Sequence, residues 1–224
     1  MIPLIRTVRN TAWEFNAWRT EMKRRIAPLL LLSILVGLLS GCAGQGASDM
    51  PFTAGVWSGD HYDSAFLDLR FTLPEGWEAS GADQLADMSA AADKALDLQK
   101  GGNGEHPESI YHYELSAKDP ETGAGVLVLV NAYSASATDY TSGLQKGAEA
   151  EGASYTVGST ETVTLAGRRY LMVPLAMEGQ ETPYQRQYVR KDGDYLITVM
   201  LFAPTDSAEA FTEMEGFFTQ LSGS

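Results

Sequence analysis

The sequence has a single cysteine and few basic residues, and both shortages limit what the protein can be. Cys42 is the only cysteine among 224 residues, so the chain cannot close an internal disulfide and must rely on a packed core. The Asp and Glu residues number 29 against 16 Lys and Arg, which gives a net charge of −13. Because that charge opposes binding to polyanions, we expect no nucleic-acid partner.

Motifs that would mark an enzyme are missing as well. The three histidines, His61, His106 and His112, form no HExxH pair, and no GxSxG sequence or spare cysteine offers a nucleophile. The run Gly101-Gly102-Asn103-Gly104 is not followed by the Lys-Ser/Thr of a phosphate-binding loop, and a loose loop is the simpler interpretation. The sequence therefore predicts a protein that is not an enzyme and has no cofactor.

One segment keeps an enzymatic alternative open. Asp60-His61-Tyr62-Asp63 is the densest group of possible metal ligands, and two carboxylates with an imidazole could hold a divalent cation. The alternative function is a cell-envelope enzyme or metal-dependent hydrolase that uses Asp60, His61 and Asp63. Neighbouring residues on a strand point to opposite faces, however, so a solvated turn before a strand is favoured and no metal site is predicted.

The segment from residue 22 to residue 42 has the order of a signal peptide. Three basic residues after Met22 precede an apolar run, Ile26–Leu39, which is too short for a comfortable membrane span. The run ends in Leu39-Ser40-Gly41-Cys42, which resembles the lipobox of bacterial lipoproteins. A plain transmembrane anchor is the alternative. We take Met22 as the predicted start of translation; a long basic region from Met1 would change nothing downstream.

The lipobox resemblance implies a location and an anchor. It implies cleavage between Gly41 and Cys42 and acyl chains, palmitate among them, on Cys42, which would hold the protein to the extracytoplasmic face of a bacterial cell membrane. Residues 1–41 are then a signal peptide, 42–54 a lipidated flexible tether, and 55–224 one domain. Because the first 41 residues hold six basic and two acidic side chains, the remainder carries a net charge of −17.

Hydrophobic periodicity predicts an α+β domain with an antiparallel sheet flanked by helices. Val126–Val130 is apolar on both faces, which is typical of a strand covered on both sides. Apolar and polar residues alternate in Phe66–Leu73, which predicts a half-buried strand. Other predicted strands cover 109–117, 125–133, 156–165, 168–177, 184–190 and 195–202, and predicted helices cover 81–99, 139–151 and 205–221.

Several of these features together resemble one family. The chain is similar to PsbP-like domains in four features. These are Gly55-Val56-Trp57, Tyr62, the sequence Phe71-Thr-Leu-Pro-Glu-Gly-Trp77, and a late four-strand meander followed by a helix. The resemblance implies an antiparallel sheet sandwiched by helices. It also implies an accessory role of uncharacterised kind, because most members are not enzymes.

Two groups of side chains are candidate contact surfaces. Trp57, Tyr62 and Trp77 gather near the start of the domain and form a possible binding patch, although packing in the core is the favoured interpretation. Arg168-Arg169 and Arg190-Lys191 could meet a carboxylate or phosphate, or could be solvated turn charges. The sequence thus predicts a non-enzymatic binding or accessory lipoprotein with a membrane anchor and an envelope protein partner, and a small-molecule ligand stays possible.

Overall fold

The fold is known from a computed structural model, which describes residues 52–104, 110–150 and 153–222. The predicted signal peptide, the lipobox with Gly41 and Cys42, and His106 lie outside these residues. Within them the chain forms twelve strands and three helices. Their bounds are β1 Val56–Ser58, β2 His61–Ser64, β3 Leu69–Thr72, β4 Glu78–Ala79, α1 Ala82–Gln99, β5 Tyr111–Lys118, β6 Gly125–Ala132, α2 Ala137–Ala148, β7 Tyr155–Val157, β8 Glu161–Leu165, β9 Arg168–Met177, β10 Tyr184–Asp192, β11 Tyr195–Ala203, α3 Ala208–Glu215 and β12 Phe218–Gln220.

A large antiparallel sheet forms the centre of the domain. Its strand order is β4-β5-β6-β11-β10-β9-β7, and β8 also pairs with β9. Tight turns make the neighbours antiparallel. Asp119–Gly123 joins β5 to β6, and the two-residue turn Ala166-Gly167 joins β8 to β9 with a positive φ at both residues, as right-handed twisted hairpins require. The predicted α+β class and the late meander are confirmed.

Each face of the large sheet is covered by a different layer. Helices α1 and α2 cover one face, where Tyr140 and Leu144 of α2 pack with Leu129 and Met200 of the sheet. A second sheet of order β1-β2-β3-β12 covers the other face together with α3. The consecutive residues 126–130 of β6 are therefore all buried, which confirms that this strand is covered on both sides.

The first and last predicted elements are partly wrong. Leu67, Leu69 and Phe71 are buried in alternation as the Phe66–Leu73 pattern predicts, but residues 65–68 form a turn in which Asp68 has a φ of 51°. Asp tolerates this left-handed conformation, so β3 begins only at Leu69. The predicted helix 205–221 ends at Glu215 with Gly216 as its C-cap, and the next residues form β12, where Phe218 pairs with Phe71.

Two smaller differences involve a break and a bulge. The predicted strand 156–165 is split into β7 and β8 around Gly158, whose N–H donates to the Pro174 carbonyl at 2.8 Å and where a Cβ would lie 2.7 Å from Pro174 Cγ. In β5 the pairing with β6 shifts between Tyr113 and Leu115, so Glu114 is the extra residue of a β-bulge. Tyr113 therefore faces the helices, whereas Leu115 faces the small sheet.

Candidate functional site

The three aromatic residues of the predicted patch lie on or beside the small sheet. Trp57 on β1 contacts the Tyr62 ring of β2, with ring centroids 5.5 Å apart. Trp77 lies farther along the same cluster and packs edge-on against Phe217 at 5.4 Å, and Phe217 in turn packs against Phe71 at 6.4 Å. The rings thus form one continuous aromatic cluster.

Exposure differs sharply within that cluster. Tyr62 is 3% exposed and Trp77 is half-buried, so both belong to the packing between layers. Trp57 is 37% exposed and its neighbour Val56 is 66% exposed. Both lie on β1, which pairs only with β2 among the described strands and so forms an edge of the small sheet. The exposed apolar residues of this edge are therefore Val56 and Trp57, whose side chains point to opposite faces of the strand, and we call this edge the β1 surface.

A buried hydrogen-bond network fixes the position of this edge. The Tyr62 hydroxyl donates to Glu114 Oε2 at 2.6 Å, and the Gly55 N–H donates both to the Tyr62 oxygen at 3.0 Å and to the same carboxylate oxygen at 3.2 Å. A Cβ at Gly55 would lie 2.6 Å from Tyr62 Cζ, so only glycine fits there. The network joins β1, β2 and β5 where the chain enters the domain.

Burial changes the acidity of both side chains in the network. Desolvation raises the pKa of Glu114 above its ordinary value, and the hydrogen bonds from Tyr62, Gly55 and Ser64 lower it in part. Desolvation and the neighbouring carboxylate raise the pKa of Tyr62 as well. The sequence pattern did not identify Glu114, because only the bulge turns this side chain inward beside Leu115. The spacing of the residues does not predict a bulge.

Only Asp60 of the segment Asp60–Asp63 lies in an exposed turn, because His61, Tyr62 and Asp63 already belong to β2. The side chains alternate along the strand, so Tyr62 points inward while His61 and Asp63 share the other face. Asp63 accepts two hydrogen bonds from Arg70, at 2.6 and 2.7 Å, and this guanidinium lowers the pKa of Asp63. His61 Nε2 lies 3.4 Å from Asp60.

The described residues contain no group of three or more His, Cys, Asp or Glu side chains placed to hold a metal ion. The ligands that the alternative hypothesis requires are already engaged in other contacts: Asp63 is occupied by a cation, and His61 Nδ1 lies 3.2 Å from the Thr72 hydroxyl. His112 lies on β5 of the other sheet, stacked on Phe52 with 4.3 Å between ring centroids. The hydrolase alternative is therefore not favoured.

Phe52, three residues before the predicted start of the domain, packs into it. Its ring lies 5.4 Å from Phe66 and 4.3 Å from His112, and its N–H donates to the Tyr195 hydroxyl at 3.3 Å. Burial lowers the pKa of His112, which favours the neutral imidazole on which Phe52 stacks. The segment that precedes the domain is thus held four residues before β1 begins.

The two basic pairs separate onto opposite faces of the large sheet. Arg168 binds Asp68 at 2.6 Å, and Arg190 donates to the Leu67 carbonyl at 2.9 Å and to Tyr170 at 3.1 Å, so both hold the β2–β3 turn. Arg169 and Lys191 line a cleft near the start of α2, to whose lining Arg190 also contributes. Arg190, whose side chain is 12% exposed, is therefore not a solvated turn charge, whereas Arg168 stays 47% exposed beside its turn while it binds Asp68.

Comparisons with known proteins give a likeness of fold only. No family model and no curated protein match the chain. The chain is similar to the solution structure of cyanobacterial PsbP (CyanoP) from Synechocystis sp. PCC 6803, with 14% sequence identity, a TM-score of 0.43, and coverage of 80% of this chain and 99% of that one. At that identity and TM-score, the likeness says nothing about function. Among the described helices, none combines the length and the apolar character that crossing a bilayer requires.

Proposed function

We propose that the protein is a bacterial lipoprotein, anchored through Cys42 on the extracytoplasmic face of the membrane, whose domain is a non-enzymatic binding module for an envelope protein. One observation carries the proposal. Val56 and Trp57 are exposed apolar residues on an edge strand, one on each of its faces, directly after the segment that would connect the domain to its lipid.

The β1 surface is unusual for this molecule. Large apolar side chains that stay exposed among the described residues are Val56, Trp57 and Leu98, and two of the three are adjacent. Single exposed apolar residues are normal, whereas neighbouring ones on an edge strand favour contact with another chain. The acidic remainder of the domain repels non-specific partners, which supports a specific contact at this apolar point.

Trp57 is held as a rigid anchor would be. Its ring packs on Tyr62 and lies 6.3 Å from Phe71, while a third of the residue stays accessible. The Tyr62–Glu114–Gly55 network fixes the strand below it. A pre-ordered tryptophan loses little conformational entropy on binding, which is why Trp dominates many protein interfaces.

The position of the β1 surface favours a partner in or near the membrane. The tether that the sequence predicts from Cys42 to Phe52 would, as a flexible chain, span about 5–6 Å multiplied by the square root of its ten-residue length, or roughly 20 Å. Phe52 is packed into the domain, so this distance separates the acyl chains from the aromatic residues around Phe52. The domain thus stays within reach of membrane proteins.

The experiment is site-specific photo-crosslinking in cells with the full-length chain. A photo-reactive residue at position 56 is expected to give one discrete protein adduct, whose yield falls when Trp57→Ser is added. Leu98, which is 52% exposed on α1 of the opposite layer, is the matched control position and is expected to give no such adduct. Equal adduct patterns from both positions, or none from position 56, would contradict a partner at the β1 surface.

The anchor is tested separately with Cys42→Ala. We expect this variant to leave the membrane fraction, because each acyl chain buries many methylene groups at about 0.8 kcal/mol each. The position-56 adduct should weaken at the same time, since the domain loses its local concentration at the membrane. A Cys42→Ala protein that stays in the membrane fraction as firmly as the parent would overturn the lipid anchor and leave the β1 surface to be judged by its own experiment.

A further inference from the structure

A small cleft opens where strands β8, β9 and β10 pass below the first residue of α2. Its volume is about 290 Å³. Thr162, Leu171 and Val189 form one row across its floor, since Leu171 pairs with both of the others. Arg169 and Lys191 stand beside this row, and Ala137 of α2 closes one side. Neither the β1 surface nor the Asp60–Asp63 segment contributes to it.

Of the three cations that line this cleft, Arg190 is paired with Asp192, whereas Arg169 and Lys191 have no carboxylate partner within ion-pair distance among the described residues. Arg169 makes no ion pair there, and the Lys191 ammonium donates to the Tyr133 carbonyl oxygen, a neutral group. The cations next to them in sequence, Arg168 and Arg190, bind Asp68 and Asp192. In a chain with 29 acidic residues, two unpaired cations that face one cleft are a distinctive arrangement.

Asp139 and Asp194 form no ion pair with Arg169 or Lys191. The Asp139 carboxylate accepts hydrogen bonds from the N–H and the hydroxyl of Ser136, at 3.0 and 2.7 Å, in the cap of α2. The Asp194 carboxylate attracts the Lys191 ammonium electrostatically without an ion-pair contact, and its Oδ2 is buried without a hydrogen-bond partner. Lys191 is partly desolvated, which strengthens its attraction to any anion that enters.

We propose that this cleft binds an oxyanion of the phosphate type, independently of the β1 surface. The guanidinium of Arg169 can donate two parallel hydrogen bonds to such a group, the Lys191 ammonium adds a point charge, and the Thr162 hydroxyl can donate a further bond. The N-terminal end of a helix also favours negative charge, and Ala137 is the first residue of α2. The volume lies just below the roughly 300–1,000 Å³ of most small-molecule sites, which suits one phosphate group.

The test is calorimetric titration of the full-length protein in neutral detergent with inorganic phosphate. We expect saturable binding that weakens at least about tenfold in Arg169→Gln, because the variant loses the charge and both of its parallel hydrogen bonds to the anion. Arg169→Lys should recover part of the affinity, because the charge stays but the two-pronged geometry is lost. Arg169 is exposed, so these variants are expected to keep the parent's melting temperature.

Lys118→Gln is the matched control, since Lys118 is an exposed cation on a strand of the same sheet, next to Glu78. It should leave phosphate binding unchanged. Two results would overturn the proposal. The parent shows no saturable binding, or Arg169→Gln and Lys118→Gln bind phosphate equally, which would show a general charge effect rather than a site.

A free phosphate and a lipid headgroup would offer the same chemistry to the cleft. The titration is therefore repeated with the protein in nanodiscs of phosphatidylcholine alone or with added phosphatidylglycerol. If phosphatidylglycerol abolishes the binding of free phosphate in the parent, the headgroup occupies the cleft. If binding is the same in both discs, the cleft takes its oxyanion from solution.

Discussion

The two faces of the large sheet are buried by different chemistry. On the helix face, the Tyr140 hydroxyl donates to Gln187 at 2.9 Å and Gln187 lies 3.4 Å from Gln185, so neutral polar groups satisfy one another beneath α2. On the small-sheet face, rings stack around Phe71, and the buried polar pair includes a carboxylate, Glu114. Both faces bury an acid, since Asp93 of α1 accepts from the Ile110 and Tyr111 N–H groups on the helix face. The faces differ in that a neutral amide partners the Tyr140 hydroxyl on one, whereas a carboxylate partners the Tyr62 hydroxyl within the aromatic packing of the other.

The two layers that cover the large sheet also differ in how they are held in place, and the small sheet carries the β1 surface. The strands of the small sheet have only three or four residues each, too few to be stable alone. Its attachment comes from tertiary contacts, among them Arg168 with Asp68 and Arg190 with the Leu67 carbonyl, and Arg186 holds the adjoining helix α3 through Glu215. The helix layer has local support of its own, because Ser136 and Asp139 form a capping box at the start of α2.

The largest expected effect comes from removing the centre of the aromatic layer. Phe71→Ala should lower the free energy of unfolding by about 3–5 kcal/mol, because Phe71 is fully buried and its partners are short strands that cannot close the cavity. Urea denaturation followed by tryptophan fluorescence measures it, since Trp57 lies beside Phe71 and Trp77 belongs to the same cluster. A loss below about 1 kcal/mol would mean that the small sheet contributes little to the core.

The same substitution on each face compares the two chemistries directly. Tyr62→Phe should cost about 1.5–3 kcal/mol, because it deprives a buried carboxylate of a hydrogen-bond donor. Tyr140→Phe removes a bond to a neutral amide and should cost about 0.5–1.5 kcal/mol. Both are measured by urea denaturation at neutral pH. Equal costs, or the reverse order, would break the distinction between the two faces.

The buried acid also predicts a dependence on pH. The pKa of Glu114 is raised in the folded state above its ordinary 4.5, mainly by desolvation, so the folded protein binds this proton more tightly than the unfolded chain. The stability contributed by Glu114 is therefore fully present below its ordinary pKa and declines as the pH rises through the folded value.

Glu114→Gln cannot titrate and isolates this contribution from the other acids. The difference in unfolding free energy, parent minus Glu114→Gln, should be largest at acidic pH and should decrease towards neutral pH. Urea denaturation of both proteins across the range from acidic to neutral pH measures it. Asp68, whose pKa is lowered by Gln220, Ser222 and Arg168, titrates in both proteins and cancels. A difference that grows with rising pH would mean that the hydrogen bonds to Glu114 outweigh its burial.

Patterning could predict the large sheet and the helices but not the contacts of the small sheet. Residues 126–130 form a continuous apolar run, which predicts a strand covered on both sides, and the Ala-rich segment 81–99 has the period of an amphipathic helix. The structure confirms both elements. The sequence from Phe211 to Leu221 fits a helical stripe equally well, yet its last part is a strand, because Gly216 ends α3 and Phe71 offers a partner for Phe218. Tertiary pairing decides such cases, and one sequence does not reveal it.

The candidate site shows the same limit. Trp57, Tyr62 and Trp77 could be grouped from their closeness in sequence, since short turns keep them near one another. Glu114 could not be added, because its contact with Tyr62 spans 52 residues and depends on the β5 bulge. The separation of Arg169 from Arg168 follows from strand alternation, but which face holds a cleft depends on where α2 begins.

The smallest expected effect concerns the surface that both layers leave uncovered. Val56→Ser should change the free energy of unfolding by no more than about 0.5 kcal/mol, because Val56 is mostly exposed and buries little area in the isolated protein. Leu98→Ser, on the helix layer, should be equally neutral. The two variants should differ in cells: Val56→Ser should reduce crosslinking from position 57 to the envelope partner, and Leu98→Ser should not. If Val56→Ser instead destabilises the domain by more than about 1 kcal/mol, Val56 packs against the tether or the core, and the proposal of an exposed docking surface at β1 loses its basis.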